Sequence, residues 1–352
     1  MSNTWIEINP NALGNNIAET REFLDKKSEI IFVVKSNAYG HGLANIAPIA
    51  SKYGIKWFAV AYVHEALTLR KILPEAEIII TGVIDPSEAV TAAENNLTPI
   101  IVSEKHALSL ADELKKKNGA VLKCHIKIDT GMGRLGFRLE EAPEKIPALM
   151  NIKELNVCGI CSHFSSSSDS HTLYTSLQFD RFQQTLELCR GKGITFHFKH
   201  ISNSGGISLN PELALDGVRS GILLYGYPDA NAAEKIKTIP VLQWKTRILQ
   251  IKRAVKDEFI SYDRTFKVPR DTNIAVLDAG YADGYPRALS NKGIVIVGGK
   301  RRKVVGRVTM NFIMIDLGPE TDVKEGDEAV LVGKQGEESI WADEIAALCD
   351  TI

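Results

Sequence analysis

Between residues 30 and 221 the chain alternates eight short apolar runs with helical patterns, and few folds accept that rhythm. The runs occupy 30–34, 57–61, 77–81, 98–102, 122–129, 156–164, 195–203 and 214–221. Helical patterns occupy 12–27, 43–53, 65–71, 87–94, 105–117, 142–150 and 177–190, with a shorter one in 204–210. The runs are apolar throughout rather than alternating, as strands buried on both faces of a parallel sheet are. Eight such strands, alternating with helices, predict an α/β chain built on a (β/α)8 TIM-type barrel. A doubly wound sheet is the next fit, but no Gly-x-Gly-x-x-Gly follows the first run. From about residue 230 the pattern becomes short β-rich runs at 242–253, 273–278, 293–297, 303–308, 313–316 and 329–332. Turns such as Gly298-Gly299 and Gly326-Asp327 separate them, and a short helix at 342–349 closes the chain. This predicts a barrel over 9–230 and a mainly antiparallel β-domain over 231–352.

The first run ends on Lys35, followed by the loop formers Asn37, Gly40 and Gly42. Burial disfavours an ammonium, which is how a lysine becomes a nucleophile for carbonyls, although a lysine at a strand end also simply lies along a surface. In a barrel the position is the C-terminal end of strand 1, where catalytic groups sit. The same fold places phosphate sites in the loops after strands 7 and 8, here Ser202-Asn203-Ser204-Gly205-Gly206 and Ser220-Gly221-Ile222. Hydroxyls, glycine N–H groups and a following helix N-terminus suit a phosphate. Together with a lysine at the barrel mouth they suggest a phosphorylated aldehyde cofactor such as pyridoxal 5'-phosphate.

A formal net charge of -1 argues against a general nucleic-acid or anionic-membrane binder. Lys115-Lys116-Lys117 reads as the polar face of a helix and Lys300-Arg301-Arg302-Lys303 as a hairpin tip. No signal peptide or membrane-length apolar run is present, and five scattered cysteines suit reduced thiols, so the cytoplasm is expected. Cys158 and Cys161 lie in an apolar run without a second pair, which favours a core location over a metal site. The stretch 165–168 reads as a small polar loop.

Six motifs, in order over nearly the whole chain, resemble bacterial alanine racemases. They are Lys35 within Val-Val-Lys-Ser-Asn-Ala-Tyr-Gly-His-Gly, Asp129-Thr-Gly-Met-Gly-Arg134-Leu-Gly, Val218-Arg219-Ser-Gly221, Ser261-Tyr262-Asp-Arg-Thr-Phe266, Tyr281-Ala-Asp-Gly-Tyr285 and Gly306-Arg-Val-Thr-Met310. The resemblance implies a fold-type III enzyme, with residues 1–8 joining the β-domain, assembled as a head-to-tail homodimer. It implies an isomerase that interconverts L- and D-alanine and supplies D-alanine for the peptidoglycan of the cell wall.

By the same resemblance, Lys35 would hold pyridoxal phosphate covalently and serve as the base on one face of it. Tyr262, from the partner subunit, would be the base on the other, since one group cannot remove a proton and return it from the opposite side. Arg219 would meet the ring nitrogen; an arginine keeps its proton, so the ring stays a weak electron sink and side reactions are suppressed. His200 would orient Arg219, and His163 would lie near the ring. Arg134 would hold the substrate carboxylate through its planar fork. Lys127 matches a lysine often carbamylated in the family, bracing that arginine. Tyr39, Ser204, Gly221 and Ile222 would bind phosphate. Met310 would offer its backbone N–H to the substrate, and Tyr281 and Tyr285 would line the access passage. On residue type alone His163 and His200 read equally as core histidines, and Tyr262 as an aromatic in a β-turn.

Three features depart from the family pattern. Asn311 follows Met310 where aspartate is usual, and Asp263 follows Tyr262 where glycine is common. The chain ends at Cys349-Asp350-Thr351-Ile352, short of a tyrosine-bearing segment, so an apparently truncated β-domain with looser cofactor binding and an unpaired edge is expected. A racemase for serine or another amino acid, and a catalytically impaired cofactor-binding protein, are the alternatives. A decarboxylase fits less well, because it would be expected to pair an acidic group with the ring nitrogen.

Overall fold

The computed structural model describes residues 3–24, 28–117, 119–167 and 173–352; the end of the 12–27 pattern and Ser168 fall outside them. The chain divides into two compact units, Pro10–Ile239 and Pro240–Ile352 with Met1–Asn9.

In the first unit eight parallel strands close into a barrel: Glu29–Val33, Trp57–Val60, Glu77–Ile80, Leu97–Ile101, Leu122–Asp129, Leu155–Cys161, Phe198–His200 and Gly217–Ser220. Closure is made where the last strand pairs with the first, Arg219 opposite Ile31 and Ser220 opposite Phe32. The last two strands are shorter than their apolar runs; at the eighth, 3-10 turn Pro211–Ala214 takes the start of the run. Helices Val63–Ile72, Glu104–Lys115, Ala142–Met150 and Leu173–Gly191 are among those that follow the strands. At the end of Glu104–Lys115, Lys115 and Lys116 pair with Asp112 and Glu113, as the polar face of a helix does.

Alternate residues of each strand point into the barrel. Ile31, Ala59 and Ile79 pack there with Val33, Trp57 and Phe198, the last two stacked with ring centroids 4.3 Å apart. Burial of each such aliphatic or aromatic group stabilises the unit by about 1.5–3 kcal/mol. The parity then decides what reaches the mouth. Lys35 follows Ile31 and Val33, and Arg219 lies two residues beyond Gly217 in strand 8. Lys127, Cys161 and His200 are neighbours in register on strands 5, 6 and 7.

The second unit is an antiparallel sheet in the order Lys300–Lys303, Ile294–Val297, Glu328–Gln335, Leu242–Ala254, Thr272–Leu277 and Ile313–Gly318. Thr4–Ile8 pairs with Leu242–Ala254, and Glu338–Ile340 with Glu328–Gln335. Ala342–Leu348 is the closing helix. The main core lies around Ile248, Leu277, Val295, Ile313, Ile315 and Leu331, and smaller buried clusters hold Ile274 with Val268 and Val305, and Ile296 with Val330 and Ile340.

Two sequence expectations change here. The basic tract at Lys300–Lys303 is a strand rather than a hairpin tip; the glycines Gly298 and Gly299, both at positive φ, make the turn before it. The expected strand at 303–308 ends at Lys303, leaving only a bridge from Val304 to Ile315. The hairpin Phe259–Ile260 with Phe266–Lys267 was not expected at all, being only two residues long on each side.

Candidate active site

A cavity of about 570 Å³ opens at the C-terminal ends of the barrel strands, and Lys35, Tyr39, Lys127, Arg134, His163, His200, Ser204, Arg219, Gly221 and Ile222 all line it. Every barrel residue expected at the site is therefore brought together. The lining carries four cationic side chains, Lys35, Lys127, Arg134 and Arg219, against one carboxylate, Asp229, which caps a helix through the Ala232 N–H at 2.8 Å. Such an excess of positive charge in a cleft suits an anionic ligand.

Lys35 stands before one turn of left-handed helix: Ser36, Asn37, Ala38 and Tyr39 all have φ between 53° and 55°. Non-glycine residues in this region cost about 1–2 kcal/mol each, so the turn needs external support. The Ser36 N–H donates to Glu65 Oε1 at 2.6 Å and the Leu43 N–H to Asn37 Oδ1 at 2.8 Å, while Ala38 is fully buried. Glu65 is a supporting residue that sequence reasoning missed, because it lies in the helix of the next βα unit.

Arg219 is buried and fixed on several sides. Its Nη2 donates to the carbonyls of Ser162 at 2.6 Å and Ile201 at 2.9 Å and to His163 Nδ1 at 2.8 Å, and its Nη1 contacts His200 Nδ1. A guanidinium only donates, so both imidazoles accept through Nδ1 and carry their proton on Nε2. His200 passes its Nε2–H to His125 Nδ1 at 2.9 Å. Burial, reinforced by the Arg219 charge, pushes His163 down to about 2 and His125 to about 3, and holds His200 well below the usual range. All three rings are neutral. Among the described residues nothing takes the Arg219 Nε–H, which leaves that donor for a ligand.

Lys127 is buried without a hydrogen-bonding partner among the described residues. Burial pushes it down to about 7, and the Arg219 and Arg134 charges add to the effect. Arg134 is delivered by the turn after strand 5, where Asp129 Oδ1 accepts the Gly131 and Gly133 N–H groups at 3.0 and 3.1 Å. It is exposed and makes no described hydrogen bond.

At the other end, Ser204 Oγ accepts the Gly221 N–H at 3.0 Å, and Asn203 Oδ1 caps the helix Ser204–Leu209 through the Gly206 N–H. A Cβ on Gly221 would stand 2.9 Å from the Tyr39 hydroxyl, so any larger residue would push the phenol aside. The result is a small cradle that presents the Ser204 and Tyr39 hydroxyls, with the Gly221 and Gly206 N–H groups engaged in holding its shape.

The residues expected from the β-domain belong to the other unit. Tyr262 sits on a short 3-10 turn, Tyr262–Arg264, and is 70% exposed. It shares an open surface recess with Thr309 and Phe312, beside exposed Met310 and Asn311. The Tyr281 N–H donates to the Thr309 carbonyl at 3.0 Å, so the Tyr281 and Met310 loops are held together. Tyr285 differs from expectation. It is 1% exposed, packs in the sheet core against Trp244, and its hydroxyl has no partner among the described residues, so it lines no passage. Asp263 is not a free carboxylate, since Arg307 Nε lies 2.6 Å from its Oδ2.

Residues 8–229 match the family model described as alanine racemase, N-terminal domain, and residues 241–352 the C-terminal domain model. The chain is 40% identical over 350 residues to the alanine racemase of Halothermothrix orenii, covering 99% of this chain and 92% of the relative. Among solved structures, alanine racemase from Bacillus anthracis with bound L-Ala-P superposes with a TM-score of 0.94 at 33% identity, covering 100% of this chain and 91% of that one. The histidine racemase from Leuconostoc mesenteroides superposes with a TM-score of 0.90 at 28% identity, covering 99% and 93%.

Proposed function

The chain belongs to the alanine racemase family, and from that premise we propose that it uses pyridoxal 5'-phosphate and two bases, Lys35 and Tyr262 of the partner subunit, to interconvert L- and D-alanine. The observation that carries the cofactor is the cavity's donor set: four cations, the Ser204–Gly221–Tyr39 cradle and the unclaimed Arg219 Nε–H. These groups fit a phosphate at one end and a ring nitrogen at the other. Bound there, the cofactor supplies an aldehyde for amine condensation and a ring that draws charge from the α-carbon.

The protein's own groups do the rest. Lys35 would hold the cofactor's aldehyde, and its amine would move the α-proton on one face. Tyr262 moves it on the other. Arg219 offers the ring nitrogen a hydrogen bond without yielding its proton, and His200 and His163 fix the guanidinium by accepting from it. Arg134 takes the substrate carboxylate with the Met310 N–H, and Tyr281 borders the access passage. Lys127, lowered by burial to about 7, is in part uncharged at neutral pH and in that form would take up carbon dioxide as a carbamate that braces Arg134. Tyr39, Ser204, Gly221 and Ile222 hold the phosphate.

Exposed Phe259, Tyr262, Met310 and Phe312 on one unit support a homodimer that shares its active sites, since exposed aromatics and methionine are what interfaces cover. Supply of D-alanine for peptidoglycan in the cytoplasm follows from this reading; no helix among the described residues is long and apolar enough to cross a membrane. A racemase for another amino acid is the second reading, favoured by the histidine racemase with the same fold.

Proton NMR of L-alanine in heavy water tests both. Loss of the α-proton with appearance of D-alanine, abolished in Tyr262→Phe, supports the proposal. Faster turnover of serine or histidine than of alanine moves the second reading ahead. No exchange with any of them, despite cofactor bound to Lys35, rejects racemisation.

A further inference from the structure

The turn that carries Tyr262 is held in an unfavourable backbone conformation. Ser261, Asp263 and Arg264 have φ of 68°, 56° and 49°, three left-handed non-glycine residues in four. Such a turn persists only where its surroundings hold it. Aspartate tolerates this region better than most residues, which suits position 263.

The surroundings are the segment Gly306-Arg307 and the side chain of Asn291. Ser261 Oγ donates to the Arg307 carbonyl at 2.9 Å. Asn291 accepts the Gly306 N–H through Oδ1 at 2.6 Å and donates through Nδ2 to Thr265 Oγ1 at 3.2 Å. A Cβ on Gly306, whose φ is 76°, would stand 2.6 Å from Ser261 Cβ, so the segment runs directly against the turn. On the Tyr262 side the remaining tie is ionic, Arg307 Nε to Asp263 Oδ2 at 2.6 Å; it is a close charge contact rather than an aligned hydrogen bond.

We propose that the Asp263–Arg307 pair is a staple that sets the position of the Tyr262 phenol, making both positioning residues for the proton transfer on that face. The inference rests on the reading of Tyr262 as a base. Asp263 is largely exposed, and an exposed pair adds little to global stability. Its effect is local: with Ser261 tied to the Arg307 backbone and Asp263 to its side chain, Tyr262 is fixed from both flanks.

Asp263→Asn and Arg307→Met remove the charge contact and are compared with Arg307→Lys and Tyr262→Phe in the loaded dimer. Weakening only the tyrosine face slows racemisation but not exchange with retention, in heavy water, of the enantiomer whose α-proton meets Lys35. Asp263→Asn and Arg307→Met are expected to lose about tenfold in racemisation, with retention exchange held within about twofold, because small misplacement of a reacting group is costly. Arg307→Lys recovers most of the loss. In cofactor-free protein the amides of 261–265 exchange faster in both variants, while the melting temperature stays the same.

Unchanged racemisation and amide exchange in the two variants, with Tyr262→Phe inactive, overturn the staple alone. Equal loss of racemisation and retention exchange also overturns it, since that is general damage. Normal racemisation by Tyr262→Phe overturns the two-base reading itself.

Discussion

The carboxylate of Glu65 accepts the Ser36 N–H at 2.6 Å through one oxygen and the Ala61 N–H at 2.8 Å through the other. One side chain thereby ties the left-handed turn after Lys35 to the end of strand 2. In Glu65→Ala three backbone donors, these two and the Tyr62 N–H at 3.2 Å, lose their acceptor, a cost of about 1–3 kcal/mol. The expected outcome is a lower melting temperature together with weaker cofactor binding, read by absorbance titration. A melting change with unaltered cofactor affinity would show that the turn keeps its shape without Glu65.

Gly221→Ala places a methyl group 2.9 Å from the Tyr39 hydroxyl, tighter than ordinary contact. Cofactor affinity should fall roughly tenfold, about 1.4 kcal/mol. Because the clash is with one oxygen, the effect should be smaller in a Tyr39→Phe background, and a double-mutant cycle measures that coupling. Strict additivity would mean that the methyl group acts elsewhere.

Lys127 is held at about 7, below its usual 10.5. Between those values the unfolded chain binds the proton and the folded one does not, so this group makes stability rise as pH increases through the window. Below about pH 7 the folded state bears the full cost of a buried ammonium. Denaturant unfolding of Lys127→Met and the parent, both without carbon dioxide, should therefore differ more at pH 6 than at pH 10, by an amount on the order of a few kcal/mol. With bicarbonate, the parent alone should show a carbamate carbon by 13C NMR. A pH-independent difference would count against the lowered value.

Tyr285 buries a hydroxyl that has no partner among the described residues. Tyr285→Phe removes an unsatisfied polar atom and keeps the ring, so stability should hold or rise by up to about 1 kcal/mol. Alanine turnover should be unchanged. Slower substrate entry in this variant would return Tyr285 to the access passage.

The site chemistry was legible in short stretches. Lys35, Arg219 and the Ser204 and Gly221 loops stand at strand ends, and strand ends follow from apolar runs a few residues long. Tyr285 was misread because Tyr281 and Tyr285 look alike in a turn-rich motif, and only sheet packing separates an exposed phenol from a core one. Glu65 was missed because a carboxylate in a helix reads as solvated surface until the neighbouring turn is folded against it. The tract Lys300–Lys303 looked like a tip because its charges hid a strand whose exposed residues happen to be basic.

By itself the sequence determined the alternation of strand and helix, the change to an antiparallel unit and the residue types presented at each strand end. Those depend on side-chain periodicity and turn chemistry, which act over a few residues. Tertiary structure decided the rest. Pairing of the eighth strand with the first sets Arg219 opposite Ile31, and Lys35 lines the same cavity although nearly the whole barrel separates them in the chain. The left-handed turn after Lys35 exists because Glu65 and Asn37 hold it, and three histidines are neutral because closure of the barrel buries them around one fixed arginine. Long-range register and desolvation have no local signature, since both arise only when distant strands meet and water leaves.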